Sequence, residues 1–306
     1  MSRRVTRKLA GRGGVLAMLV APLVWSFGGV LGKSTHASGV VLSFWRMWIA
    51  SGVLLVVVAV TKRWPSRADF RRAAIAGVLF GLNICVFFIA IQSVSIAVAL
   101  IIAALAPVVA LPVSVIHFGE RLTPVKVICA AASVIGVIVA VLVAPSSATG
   151  TSSSTIGYLW ALLALLFWVA YLLVSKGVRP HVETVRFMFV VSVIGAATVS
   201  LLVVLGSNDL GEVHGAGWVW VSLLALGPGI AGHGLVAWAQ PRVDASVTSV
   251  LIQLEPVGAS TAAWVILGER VSLAQALAMT GVVAALCVLA YHASREGGLE
   301  IVDAVS

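Results

Sequence analysis

Charge is what this chain has least of. Only 10% of its 306 residues are Asp, Glu, Lys or Arg, against roughly 25% in an ordinary soluble domain. That scarcity, with 60% hydrophobic residues and a mean hydropathy of +1.10, excludes a water-soluble globule. Cysteine is scarce too. Cys85, Cys129 and Cys287 all fall inside apolar runs without paired spacing, so neither a zinc site nor a disulfide framework is expected. No metal and no cofactor is implied. Catalytic groupings are missing as well: no Ser/His/Asp cluster of recognisable spacing occurs, and "HFGER" (117–121) lacks the second histidine of a metalloprotease helix. "GGVLGKS" (28–34) approaches a phosphate loop, but the pattern requires Gly at position 27, where Phe27 stands. The segment also reads as apolar helix rather than strand–loop–helix. Nothing in the chain is built to hydrolyse ATP, and an enzyme is not expected.

What the chain does have is apolar runs of membrane length. Ten occur, at 14–33, 39–61, 73–92, 95–117, 124–143, 156–175, 182–206, 217–239, 244–267 and 272–292. Each has about the 20 residues that cross a hydrocarbon core as a helix. Unbroken runs suit helices, whereas barrel strands alternate in polarity, so the fold class is all-α: a polytopic membrane protein of ten transmembrane helices. The first run is too long for a signal-peptide core and has a counterpart later, so it is expected to stay in the mature protein.

Basic residues orient it. Arg3, Arg4, Arg7, Lys8, Arg12, Lys62, Arg63, Arg67, Arg71, Arg72, Arg121, Lys126, Lys176, Arg179, Arg242 and Arg295 all fall on one side if alternate connections share a side. The positive-inside bias then puts both termini in the cytoplasm. The net charge of +9 is therefore a leaflet anchor rather than a nucleic-acid footprint, and the lipid bilayer is the expected partner.

The chain also repeats. "LAPVVALPVSVIHFGERL" (105–122) aligns without a gap on "LEPVGASTAAWVILGERV" (254–271). Trp25 to Lys33 and Trp168 to Lys176 share one spacing, and Arg46 and Arg186 stand early in the second and seventh runs. The division is a basic N-terminal segment at 1–13, a five-helix repeat at 14–143, an uncharged linker at 144–155, a second repeat at 156–292 and a cytoplasmic tail at 293–306. Because each repeat crosses an odd number of times, the second enters from the opposite face. Inverted repeats of this sort characterise secondary transporters, with a site near the midplane between the halves.

Two five-helix repeats, each with a proline in the fourth helix, a Gly-Glu-Arg turn (119–121 and 268–270) and a Gly-rich fifth helix, resemble the EamA-like family of the drug/metabolite transporter superfamily. The resemblance runs from about residue 14 to residue 292. It implies a ten-helix bundle with a central cavity, moving amino acids, related metabolites or drugs across the plasma membrane, often as efflux. Import or facilitated passage by the same fold, a polytopic enzyme and a channel are the alternatives. The resemblance does not imply a particular substrate or oligomeric state.

Glu255 and Pro256 stand in the middle of the ninth run. A charge at the bilayer centre costs about 2.5–3.5 kcal/mol on insertion scales for Asp, Lys or Arg, so Glu255 should face the bundle interior. It is the candidate for proton coupling, although a protonated carboxyl bonded to a neighbouring helix would fit too. Pro256 is expected to leave the Ile252 carbonyl free. Pro107 is its repeat partner. Asn83 and His233 sit inside the third and eighth runs, and Trp25 and Trp168 are deep and repeat-related, so each either lines a pathway or packs. Arg46 and Arg186 lie near enough to a membrane edge to snorkel, with attraction of a carboxylate on the cargo as the alternative. Gly28 with Gly32, and Gly77 with Gly81, have the spacing of closely packed helices. Glu120 with Arg121 reads as a pair or a cap at the boundary, with a gating role open.

Overall fold

The computed structural model describes residues 2–94, 96–143, 155–267 and 271–296. Residues 144–154 of the linker, the Gly268–Arg270 turn and the tail from 297 lie outside these. Among the described residues all regular structure is helical. The first half comprises α1 (Ser2–Trp25), α2 (Gly28–Lys33), α3 (Gly39–Thr61), α4 (Arg67–Ser93), α5 (Ile96–Ala103), α6 (Ala106–Phe118) and α7 (Pro124–Leu142). The second comprises α8 (Thr155–Val178), α9 (Thr184–Leu205), α10 (Gly217–Leu224), a π-helical segment (Ala225–Gly232), α11 (His233–Ala239), α12 (Ala245–Leu251), α13 (Leu254–Leu267) and α14 (Leu273–Glu296). Nine stretches among the described residues are long and apolar enough to cross a membrane; α12 and α13 in series supply the tenth crossing.

Four crossings that read as continuous runs are interrupted: α1 breaks from α2 after Trp25, α5 from α6 at Ala104, α12 from α13 at Ile252, and the eighth crossing passes through its π segment. The two prolines of the repeat do not kink a helix from within. Pro107 and Pro256 sit in the first turns of α6 and α13, where a missing N–H costs nothing.

Packing follows the repeat. α7 packs on α14, α6 on α12, and α3 on α9, each pairing one crossing with its own counterpart. α4 packs on α8 as α11 packs on α1, one arrangement executed twice with the halves exchanged. Hydrogen bonds between connections fix the inversion. Glu120, after α6, bonds Ala245 and Ser246 at the start of α12, and Arg63 pairs with Glu183 at 2.6 Å, all on the face that gathers the basic residues. Ser272, before α14, donates to the Val143 carbonyl on the other face. Corresponding points of the two halves thus sit at opposite membrane surfaces.

One close approach joins α4 to α9. A Cβ on Gly81 would come within 2.7 Å of the Gly195 carbonyl, and one on Gly77 within 2.7 Å of the Ile194 Cβ. Gly81 lets the two backbones meet directly and Gly77 makes room for the Ile194 side chain, as small-xxx-small spacing allows. Gly32 likewise stands 2.7 Å from Phe88 by the same measure, but at Gly28 the nearest atom is 3.9 Å away, so close packing does not require glycine there. Gly81→Leu is expected to cost about 1–3 kcal/mol by overpacking, read as a lowered unfolding temperature in detergent, whereas Gly52→Leu, with open space around it, leaves that temperature unchanged.

Candidate functional site

The interruptions converge. The Gln253 amide, at the break before α13, donates to the Ala104 carbonyl at the break before α6, 2.6 Å across the repeat interface. Ser26, at the break after α1, donates to the Glu255 carbonyl at 3.0 Å. The Trp25 indole donates to the Pro228 carbonyl inside the π segment at 3.0 Å. Pro256 does not leave the Ile252 carbonyl free: it accepts from the Glu255 amide at 2.9 Å, because the chain tightens into a three-residue turn at the break. The breaks are thus held by local turns and by side-chain bonds from other broken crossings, as a low-dielectric interior demands.

Between the breaks lies a cavity of about 130 Å³ lined by both halves. Trp25, Asn83, Trp168, His233 and Glu255 line it, as does Gly28; Pro107 and Pro256 are buried beside it and do not. Its remaining wall is apolar, with five alanines, Phe87 and Phe88 among its residues. Arg46 lines it too, which overturns the snorkelling reading. The residue is 4% exposed, about 10 Å in from the Gly39 end of α3 at 1.5 Å per residue, and its guanidinium lies 5.5 Å from the Phe88 ring centroid. Arg186, its repeat counterpart, remains 40% exposed at 4.0 Å from Asp69.

Aromatic rings close the cavity towards the basic face. Trp25 and Trp168 meet edge to face at 5.4 Å between centroids, and His233 packs at 4.6 Å from Trp25, 4.7 Å from Phe80 and 5.9 Å from Trp168. Its Nδ1 is buried without a partner. Gly232 has to be glycine, since a Cβ would overlap the Trp25 indole. Asn83 donates through Nδ2 to the Ala164 carbonyl at 2.9 Å, so half of its amide is spent holding α4 to α8.

Below the rings, the basic face is tied across the repeat interface. The Glu120 carboxylate accepts from the Ala245 and Ser246 amides at 2.7 and 3.0 Å and from the Ser246 hydroxyl at 2.6 Å, capping α12. Lys126 pairs with Asp244 at 2.6 Å. Lys176 donates to the carbonyls of Gln240 and Val243, and Arg179 to the carbonyl of Ala237. Burial pulls the Arg179 guanidinium down to about 10, against the opposing pull of Glu183, so it stays charged at neutral pH.

Sequence reasoning left Arg46 open between snorkelling and an interior role, and missed Gln253 and the capping partner of Glu120. Gln253 had a usable signal, a polar residue two places from Glu255 in an apolar run; the other two depend on which helices meet. Among the described residues no group of three or more His, Cys, Asp or Glu could hold a metal.

Comparison with known proteins agrees with this architecture. No curated protein matches. One solved structure, titled only "Crystal structure of protein", is 24% identical and superposes with a TM-score of 0.74, covering 92% of this chain and 98% of its own; it shares the fold. The EamA-like transporter family matches at residues 12–142 and 155–291, one match for each half. The chain therefore belongs to the EamA-like transporter family, as a multi-pass membrane transporter built from two repeats.

Proposed function

We propose that the protein exports a small metabolite, amino-acid-like compound or drug by alternating access, with protons as the coupling ion and Glu255 as their carrier. One observation supports this reading above the others: Glu255 lines a cavity shared by both halves and stands at the start of a half-helix, at a break where broken crossings meet. Broken helices at midplane are where such transporters bind. Among the described residues Glu255 is the only Asp or Glu in that lining, so cargo and proton would meet at the same carboxyl. Among the described residues neither a filter of repeated carbonyls, which a channel needs, nor a gathered set of catalytic groups lines it.

The positive-inside bias supports the basic face as cytoplasmic and a plasma-membrane setting, with both termini inside. The repeat boundaries at residues 14–143 and 156–292 follow from the same reading. Rings and ionic contacts lie between the cavity and the basic face, so this conformation corresponds to one sealed from the cytoplasm. Rocking of the halves would break the Glu120 cap and the Lys126–Asp244 pair and open that side. Energy for the cycle then comes from the proton gradient.

In proteoliposomes, Glu255→Gln is expected to abolish flux driven by a pH gradient while leaving exchange between two pools of cargo; retention of the driven flux refutes the coupling role. Loss of a helix cap costs about 0.5–2 kcal/mol, so Glu120→Ala should shift the equilibrium between the two states by roughly 2- to 30-fold. The readout is an Ala164→Cys reporter in a background lacking the native cysteines: its reaction with an impermeant thiol reagent from the basic face should rise by about that factor.

A further inference from the structure

The corner between α3 and α4 holds more cations than its acids can pair. Residues 62–72 include five basic residues, Lys62, Arg63, Arg67, Arg71 and Arg72, and a single acid, Asp69. Arg186, at the start of α9, joins them from the second half, its Nη1 lying 4.0 Å from the Asp69 carboxylate and so beyond hydrogen-bonding reach. Both acids of the corner are already spent. Asp69 accepts from the Ser66 amide and hydroxyl at 2.8 and 2.9 Å, which closes the cap of α4. Glu183 takes Arg63 at 2.6 Å with one oxygen and caps α9 with the other, through the amides of Val185 and Arg186. A positive excess is left over. Lys62, Arg67, Arg71 and Arg72 are exposed and form no ion pair among the described residues, and the Arg186 Nε is buried without a hydrogen bond.

Depth decides which anion can complement this excess. Trp64, exposed at the corner, suits the headgroup level, and α4 runs from there into its apolar span. Arg67, Arg71, Ile75 and Val78 follow at steps of four, four and three residues, so they share one face of α4, and all four are exposed. At 1.5 Å per residue, Ile75 lies about 6 Å deeper than Arg71, and Val78 about 10 Å. Charge at headgroup depth with exposed apolar side chains directly beneath it matches a phospholipid rather than a soluble anion. A zwitterionic headgroup would bring its own cation into a field that is already positive, whereas an acidic headgroup neutralises that field, and the arginine fork bonds phosphate through two parallel N–H groups. The positive-inside bias accounts for cations on this face in general. It does not account for their gathering at one corner, from both halves, with the neighbouring acids consumed.

We propose that this corner is a binding site for one anionic phospholipid of the leaflet on the basic face, its headgroup held by Arg67 and Arg71 with Arg186 alongside, and its chains lying along Ile75 and Val78. Clusters of basic residues beside a membrane span recognise acidic lipids in this way. The headgroup joins the first half to the second. The inference stands apart from cargo and coupling, since none of these residues lines the cavity.

The test titrates the purified full-length protein, in a neutral detergent, with phosphatidylglycerol or with phosphatidylcholine of the same chains, and reads bound lipid by native mass spectrometry. One phosphatidylglycerol should be retained about 10- to 100-fold more tightly than phosphatidylcholine, the scale of hydrogen bonds to a charged group. Arg67→Gln combined with Arg71→Gln should erase that preference, and Arg186→Gln should reduce it. Arg295→Gln, which removes a cation from the same face outside the corner, should leave it unchanged. Excess glycerol phosphate, which carries the headgroup chemistry without the chains, should not displace the lipid. If Arg186→Gln does not fold, the exposed pair Arg67 and Arg71 still decides. Equal retention of the two lipids, or a loss from Arg295→Gln as large as that from the corner variants, overturns the proposal in favour of diffuse attraction; displacement by glycerol phosphate overturns it in favour of a site for soluble phosphates.

Discussion

A helix in lipid can break only where something else satisfies the backbone it exposes, and the whole centre of this protein is organised by that constraint. Four crossings are interrupted, and three side-chain bonds link them: Gln253 reaches the Ala104 carbonyl, Ser26 the Glu255 carbonyl, and Trp25 the Pro228 carbonyl in the π segment. None of these breaks would be stable facing hydrocarbon. Gathered at the repeat interface they support one another, and the space left between them is the cavity.

The same geometry explains why two arginines in matching places have different surroundings. Arg186 is 40% exposed and near Asp69, whereas Arg46 is buried in the cavity that Glu255 also lines. The repeats share a fold but not their charges, since Ala106 occupies the position that Glu255 holds in the second half. An asymmetric pair of opposite charges thus sits inside a nearly symmetric frame. A symmetric frame is suited to rocking between two equivalent shapes, while the charges inside it are not repeated between the halves.

Closure towards the basic face has two layers of different character. The rings of Trp25, Trp168 and His233 fill space, while the Glu120 cap and the Lys126–Asp244 pair tie together segments of opposite halves. Packed rings resist small displacements because interiors are dense. The Lys126–Asp244 pair is exposed on one side alone, Asp244 at 42% against 6% for Lys126. A seal of this composition can hold one state and still be released.

Sequence by itself determined the ten crossings, their alternation and the inverted repeat, because lipid imposes a length and a polarity on every spanning segment that can be read one run at a time. It also pointed to Glu255, since a lone acid in an apolar run has to face inwards. It did not determine the fate of Arg46, which by depth alone suited snorkelling, nor that the Ile252 carbonyl would be satisfied by the Glu255 amide, nor that Glu120 would cap a helix 125 residues away. Those depend on which helices meet and at what height, and contacts between distant segments are decided only when the two halves pack together.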